Sequence, residues 1–322
     1  MIKVLILTPK SIAGNLIMES FASALEANNC LVKIKAVDKL CAGDLEFFKP
    51  TMVMGYDYSY LMDEKCTDLI EQLNCKNLFF YFGDEPQSKL SMGNETGLYE
   101  KLKNIDATVF IWDKDFLDEF ENCFYLPLAA DPFEYAVNFS GYKHSITFVG
   151  RPLTEKRQQV LCELIKVFKN KLSLFCYEKH FLQSIEEIKA QNLLDESDLE
   201  VYSKCWKGFI TEEEDLAKIY NSSKINLNIT EQGKSSINYR VFEVLASGGF
   251  LITDEREDLI TLFGENKFLE TYKNPTDLID KIEFYLKNLE IAQKMAQIGR
   301  FKCIESHTFY SRVQAILKQI AE

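Results

Sequence analysis

Two successive series of short apolar runs, each alternating with helical stretches, constrain this chain of 322 residues more than any other feature. KVLILT opens the first series, followed by the loop PKSIAGN and an expected helix from Leu16 to Ala27. LVKIKAV, TMVMGY, NLFFYFG, ATVFIW and a short CFYLPL then read as strands. Runs this apolar suit parallel strands covered on both faces. PLAADPFEYAVNFSGYKH, with two prolines and a glycine, reads as a crossover between domains. SITFVGR, LSLFCY, KINLNI and FLITD are the strands of the second series, with a helix expected from Glu155 to Lys169 and a short acidic one in EEEDLAKIYNSS. Long amphipathic helices are expected over about 275–299 and 305–321. The alternation predicts an α/β protein of two Rossmann-like, doubly wound domains facing a cleft, over 1–140 and 141–304.

A formal net charge of −12 argues against a general affinity for nucleic acid or an anionic membrane. An anionic ligand must then be held by a few local Arg and Lys side chains. Nine scattered cysteines without a CxxC, and only three histidines, make a metal site unexpected and read as buried, reduced thiols. The first apolar run is too short for a signal peptide and no run approaches the ~20 residues of a membrane span. A soluble, cytoplasmic protein without an integral membrane segment is expected.

Residues 235–249, SSINYRVFEVLASGG, carry the strongest functional signal. On a helix from Ser236 to Ser247, the side chains of Ser236, Arg240, Glu243 and Ser247 fall within an arc of roughly 60°. Nearly all the rest is apolar, so a buried helix keeps one narrow charged stripe, stopped by Gly248 and Gly249 before the strand FLITD. Such a stripe beside strand ends points to a ligand. The competing reading is an internal Arg240–Glu243 pair that only satisfies itself.

VGRPLTEKR at 149–157 is the second signal. Gly150 lets backbone approach a ligand at a strand end, and Arg151 and Lys156 suit a diphosphate near a helix N-terminus. A solvated basic first turn is the alternative. In the first half, the loop at 8–15 places Gly14 and Asn15 at a strand end, though it is neither a P-loop nor a dinucleotide fingerprint. Asp84 and Glu85, in the FGDEP that closes the strand NLFFYFG, are candidates for a general base, unless they only build a turn. Asp57 and Glu19 are weaker rivals. Asp113-Lys114-Asp115 is expected to cap a helix rather than bind metal. His307 reads as structural.

KGFITEEEDLAKIYNSSKINLNIT at 207–230 resembles the nucleotide-sugar domain of GT-B glycosyltransferases, where a Gly-aromatic-aliphatic triplet precedes an acidic helix ending in Tyr. VGRPLTEKR is similar to the Arg and Lys element that grips the donor diphosphate in the large retaining group. Asn238, Arg240, Phe242 and Glu243 resemble the Asn-x-Arg-x-Phe-Glu helix of the CgeB-like, spore-maturation type. The likeness covers about 145–312, including HTFYSR at 307–312, and is weaker before that, resting on FGDEP and on LPLAADP at 126–132.

The resemblance implies a donor site in which Glu243 binds the ribose. Arg151, Lys156 and Arg240 would hold the pyrophosphate, Gly208, Phe209 and Ile210 would border the base, and Ser236, Asn238 and Tyr239 would lie alongside. It also implies an N-terminal acceptor domain, with the last helix (about 305–322) packing back on it. The reaction implied is metal-independent and cofactor-free transfer of a hexose-type sugar from a UDP-sugar to a hydroxyl of a glycan, lipid or protein. One departure stands out: the retaining group carries a second glutamate eight positions before the first, and here that position is Ser235. A sugar-nucleotide 2-epimerase of the same fold and a non-catalytic nucleotide-sugar-binding protein are the rival readings.

Overall fold

A computed structural model describes residues 1–73, 75, 77–88, 97–135, 139–210, 212–233, 235–265 and 268–321. The chain divides into two units, Met1–Ala129 with Gln232–Ser236 and Thr308–Glu322, and Ala130–Glu231 with Ile237–His307. The division falls ahead of the expected boundary at residue 140.

In the first unit, β1 (Lys3–Thr8), β2 (Leu31–Ala36), β3 (Met52–Tyr56), β4 (Leu78–Phe82), β5 (Thr108–Ile111) and β6 (Cys123–Tyr125) form one parallel sheet in the order β2-β1-β3-β4-β5-β6. Helices α1 (Ile12–Ala27), α2 (Ala42–Phe48), α3 (Glu64–Leu73) and α4 (Leu98–Lys103) connect the strands. β1, β3 and β4 are buried almost throughout, as apolar runs require when helices cover both faces. LVKIKAV behaves differently from a doubly covered strand: β2 is the edge, Leu31 and Ile34 are exposed, and Lys33 and Lys35 reach Asp44 at 2.7 and 3.0 Å. Edge lysines of this kind discourage pairing with a foreign strand.

The second unit repeats the plan with β7 (His144–Val149), β8 (Leu172–Phe175), β9 (Trp206–Gly208), β10 (Ser223–Asn228), β11 (Leu251–Asp254) and β12 (Glu270–Tyr272), parallel in the order β12-β11-β10-β7-β8-β9. Its helices are α5 (Glu155–Phe168), α6 (Glu178–Ala190), α7 (Glu196–Ser203), α8 (Glu213–Asn221), α9 (Tyr239–Ala246), α10 (Glu257–Phe263), α11 (Pro275–Lys287) and α12 (Leu289–Ser306). Asn288 separates α11 from α12, so the long helix expected at 275–299 is two. One apolar core, built around Ile146, Phe148, Leu161, Ile225 and Ile252, fills the space between sheet and helices.

α13 (Phe309–Ala321) belongs to the first unit, where Phe309 meets Phe21 of α1 edge to face at 4.9 Å. None of the nine cysteines is in a disulfide; six are buried, Cys75 and Cys123 are partly covered and Cys41 is exposed. Among the described residues, no helix is long and apolar enough to cross a membrane.

Candidate functional site

In the second unit the strand order reverses between β7 and β10. Chains leaving these neighbours diverge, and the gap beyond their carboxyl ends is where open α/β sheets take ligands. Gly150 follows directly on β7, and its φ of 148° puts it where side chains are disfavoured. Thr154 then caps α5 by accepting from the Arg157 N–H at 3.4 Å, which fixes how the basic first turn faces the strand ends.

Arg157 is the anchor. Its Nε and Nη2 donate to the Ile229 carbonyl at 3.0 and 2.9 Å, and Nη1 donates to the Arg151 carbonyl at 2.9 Å. Nη1 also pairs with Glu231 Oε2 at 2.8 Å. Burial, opposed by Glu231, pushes the guanidinium down to about 10, so it stays charged at neutral pH. Lys156 donates to the Thr230 carbonyl at 3.1 Å and to Asp254 Oδ2 at 3.0 Å. Arg256 Nη2 reaches the same oxygen at 3.0 Å. Burial acts to raise the Asp254 carboxyl, but Lys156 and Arg256 outweigh it and hold it below the usual range. Arg151 is looser, 3.8 Å from Glu231 and with 37 % of its side chain exposed.

The helix expected from Ser236 begins only at Tyr239. Asn238 keeps an extended backbone (φ −85°, ψ 172°), so the helix cannot extend back through it. Ser236 is therefore not on the charged stripe; it counts with the first unit and hydrogen-bonds to Asp113. Arg240 and Glu243 do form the internal pair weighed above, at 2.8 Å. Glu243 also accepts from Tyr135 at 2.9 Å and Tyr220 at 3.2 Å, and Arg240 donates to the Tyr220 hydroxyl. Burial disfavours the Arg240 charge, yet Tyr220 and Glu243 over-compensate and raise its pKa. Asn238 donates to Asn228 Oδ1 at 3.0 Å, while its own buried Oδ1 has no hydrogen-bond partner. Tyr239 stands edge-on to Tyr135 at 6.4 Å.

Gly208 closes β9 with φ 121°, and Phe209 beyond it stacks on Tyr177 at 3.6 Å, with both rings more than a third exposed. Ile210 follows in the loop. Thus Gly150, Arg151, Lys156, Arg240 and Glu243 lie with Asn238 and Tyr239 on the loops and helix starts of one unit, joined by Arg157, Tyr135, Glu231, Asp254 and Tyr177. Sequence reasoning passed over those five. Arg157 sits inside VGRPLTEKR, but nothing in the motif tells which basic side chain turns inward; the Thr154 cap decides that.

In the first unit a cavity of about 490 Å³ lies beyond the ends of β1, β3 and β4, lined by Gly14, Asp57 and Asp84 among others. A Cβ on Gly14, in the first turn of α1, would meet Ser11 Oγ at 2.6 Å and Tyr56 Cδ1 at 2.8 Å, so a larger residue requires these side chains to shift. Asn15 is not on the lining; its N–H closes the first turn of α1 on the Ser11 carbonyl at 2.9 Å. Asp84 Oδ2 accepts from Tyr56 at 3.3 Å. Glu85 is engaged elsewhere: its carboxylate accepts from the Gly233 N–H at 2.9 Å and its N–H donates to Gln232 Oε1. Asp57, the weaker rival, has the perturbed carboxyl, raised well above the ordinary range by burial and by Asp84. Asp113 caps the turn at Lys114 by accepting from the Asp115 N–H at 3.0 Å. His307 Nε2 donates to the Leu262 carbonyl at 2.9 Å.

Residues 178–318 match the family described as Glycosyl transferase-like. That match spans α6 to α13 and includes Tyr220, Arg240 and Glu243. Comparison with curated proteins returns no match. Sucrose-phosphate synthase from Thermosynechococcus elongatus is similar in structure, with a TM-score of 0.70 at 11 % identity over 99 % of both chains. Anabaena HepE in complex with UDP and glucose gives 0.67 at 10 % identity over the whole of both chains. An α-glucosyltransferase in complex with UDP and a 13-mer DNA gives 0.68 at 13 %, again over both whole chains. The protein has the two-unit GT-B fold of these structures.

Proposed function

We propose that this protein is a glycosyltransferase that moves a hexose-type sugar from a nucleoside diphosphate sugar, UDP-linked, to a hydroxyl acceptor without a metal or other cofactor. The observation that carries the reading is the charge count at the β7/β10 strand ends and on α9. There five cations, Arg151, Lys156, Arg157, Arg240 and Arg256, pair with three carboxylates, Glu231, Asp254 and Glu243, in a chain of −12. Breaking the anomeric C–O bond leaves a diphosphate gaining negative charge, and cations fixed in advance stabilise that charge without reorganising. Half-exposed Lys156 and Arg151 would turn from Asp254 and Glu231 to the phosphates. Glu243 would take the ribose hydroxyls beside Tyr135 and Tyr220, and the Phe209 loop would border the base. The family match over the second unit and the UDP held by similar structures support this reading. Asn238, Arg240, Phe242 and Glu243 support the finer CgeB-like placing. The net charge favours an uncharged or cationic acceptor over nucleic acid.

Thermal shift with UDP, GDP, dTDP and CDP tests the donor site. The expected result is stabilisation by UDP, about 2.7 kcal/mol at a hundredfold excess over Kd, and slow release of UDP from a UDP-sugar. No shift with any nucleotide overturns the reading. Binding without release returns the non-catalytic alternative, which the serine at position 235 keeps in view.

A further inference from the structure

Asp254 closes β11, and Arg256 stands two positions on in backbone that is still extended (φ −141°, ψ 139°), so both side chains leave on the same side. Glu255 between them reaches Lys273 instead, at 3.9 Å. Three charged N–H groups converge on one oxygen of Asp254. Its Oδ2 accepts from Lys156 Nζ at 3.0 Å, Arg256 Nε at 3.2 Å and Arg256 Nη2 at 3.0 Å. A carboxylate oxygen has two lone pairs, so one of these contacts is surplus. Oδ1 accepts separately from the Thr230 N–H at 3.1 Å and the Thr230 hydroxyl at 2.8 Å, which fixes the carboxylate in place.

Exposure decides which cation can leave. The Arg256 side chain is 10 % exposed, that of Lys156 47 %. Lys156 sits on a flexible stem, and an ion pair with one partner half in water is weak. Among the described residues its one further hydrogen bond goes to the Thr230 carbonyl at 3.1 Å. Lys156 also lies in the first turn of α5, where the helix dipole disfavours a cation unless an anion stands beside it. Asp254 is that anion in the structure, and a diphosphate can take its place.

We propose that Arg256 is a positioning residue that makes Lys156 exchangeable: Lys156 leaves Asp254 for the diphosphate of the sugar donor, and Arg256, already on Oδ2, keeps the carboxylate paired. The exchange rests on the reading of these strand ends as the donor site. Without Arg256, Lys156 is the last cation on Asp254 and is held back. Without the Asp254 charge, Lys156 is released to the phosphates. A stationary lysine, offering the phosphate only its third N–H, would instead need Asp254 to hold it.

Calorimetric titration of the full chain with UDP, and separately with inorganic pyrophosphate, reads the exchange. Arg256→Gln is expected to weaken both ligands about tenfold, the scale of one charge-assisted contact. Asp254→Asn, which keeps an oxygen for Thr230, is expected to tighten both several-fold even though its Tm falls. Long-range charge alone gives the same signs, so Lys156→Met decides: in that background both substitutions are expected to lose most of their effect. Equal effects with and without Lys156, or weaker binding in Asp254→Asn, overturn the exchange, and either substitution suffices for the comparison. Pyrophosphate binding with this dependence on Lys156, but no UDP binding, defeats the donor site and keeps the exchange. UDP binding without that dependence defeats the exchange alone, and binding of neither ligand overturns both.

Discussion

Arg157 spends two of its N–H groups on a single oxygen, the carbonyl of Ile229, at 3.0 and 2.9 Å. The contact fastens the first turn of α5 to the end of β10, and Glu231 at 2.8 Å completes the clamp. Arg157 therefore holds the loops around the switch point in register, and the more exposed Lys156 and Arg151 are left to move.

Replacing Arg157 by Met keeps the length and removes the charge. Among the described residues Glu231 then keeps an ion pair with Arg151 alone, at 3.8 Å, and the Ile229 carbonyl loses both Arg157 donors. Removing one partner of a buried pair costs roughly 3–5 kcal/mol, and urea unfolding is expected to show a loss of that order. A change under about 1 kcal/mol contradicts the clamp.

Glu243 needs two variants. Glu243→Ala leaves the Arg240 charge buried without its carboxylate and is expected to unfold the unit, so it cannot report on binding. Glu243→Gln keeps size and an acceptor oxygen for Tyr135 and Tyr220. Calorimetry is expected to find UDP affinity lowered about tenfold or more, the loss of a charge-assisted contact, in a protein whose Tm falls by only a few degrees. Unchanged affinity means the pair is internal and nothing else.

Glycines give a stability test with an internal control. A Cβ at Gly249 would lie 2.9 Å from the Tyr220 carbonyl and 2.7 Å from Asn226 Nδ2. At Gly299 it would lie 2.9 Å from the Phe268 carbonyl. Backbone cannot yield, so each alanine variant is expected to lose about 1–3 kcal/mol. Gly43, in α2 with nothing within 4 Å, is expected to gain up to about 1 kcal/mol as alanine.

Asp57 and Asp254 give opposite pH slopes. Asp57 is raised, so folding favours its protonated form; its contribution is full below the ordinary carboxyl pKa and is lost as pH rises toward the folded value. Asp57→Asn is therefore expected to have a Tm advantage that widens as pH increases from about 4. Asp254 is lowered, so its contribution is present above the ordinary carboxyl pKa and fades as pH falls through the folded value. Asp254→Asn is expected to lose Tm at neutral pH and converge on the parent in acid. Parallel Tm curves for either variant contradict the assignment.

The strands and most helices were legible in the sequence because apolar periodicity is a local property: KVLILT, NLFFYF and KINLN had to be buried strands whatever surrounded them. Gly150, Arg151 and Lys156 at a strand end, and the Arg240–Glu243 spacing, were legible for the same reason, since i,i+3 neighbours meet on any helix. Strand order is not local, and it alone sets β7 beside β10 and β1 beside β3, making the two strand-order reversals. Burial is not local either. It chose Arg157 over its basic neighbours as the anchor, brought Tyr135 to Glu243 from 108 positions away, tied Glu85 to Gln232 and Gly233, and raised the Asp57 carboxyl instead. Those outcomes follow from which groups lose water together, and only the folded chain decides that.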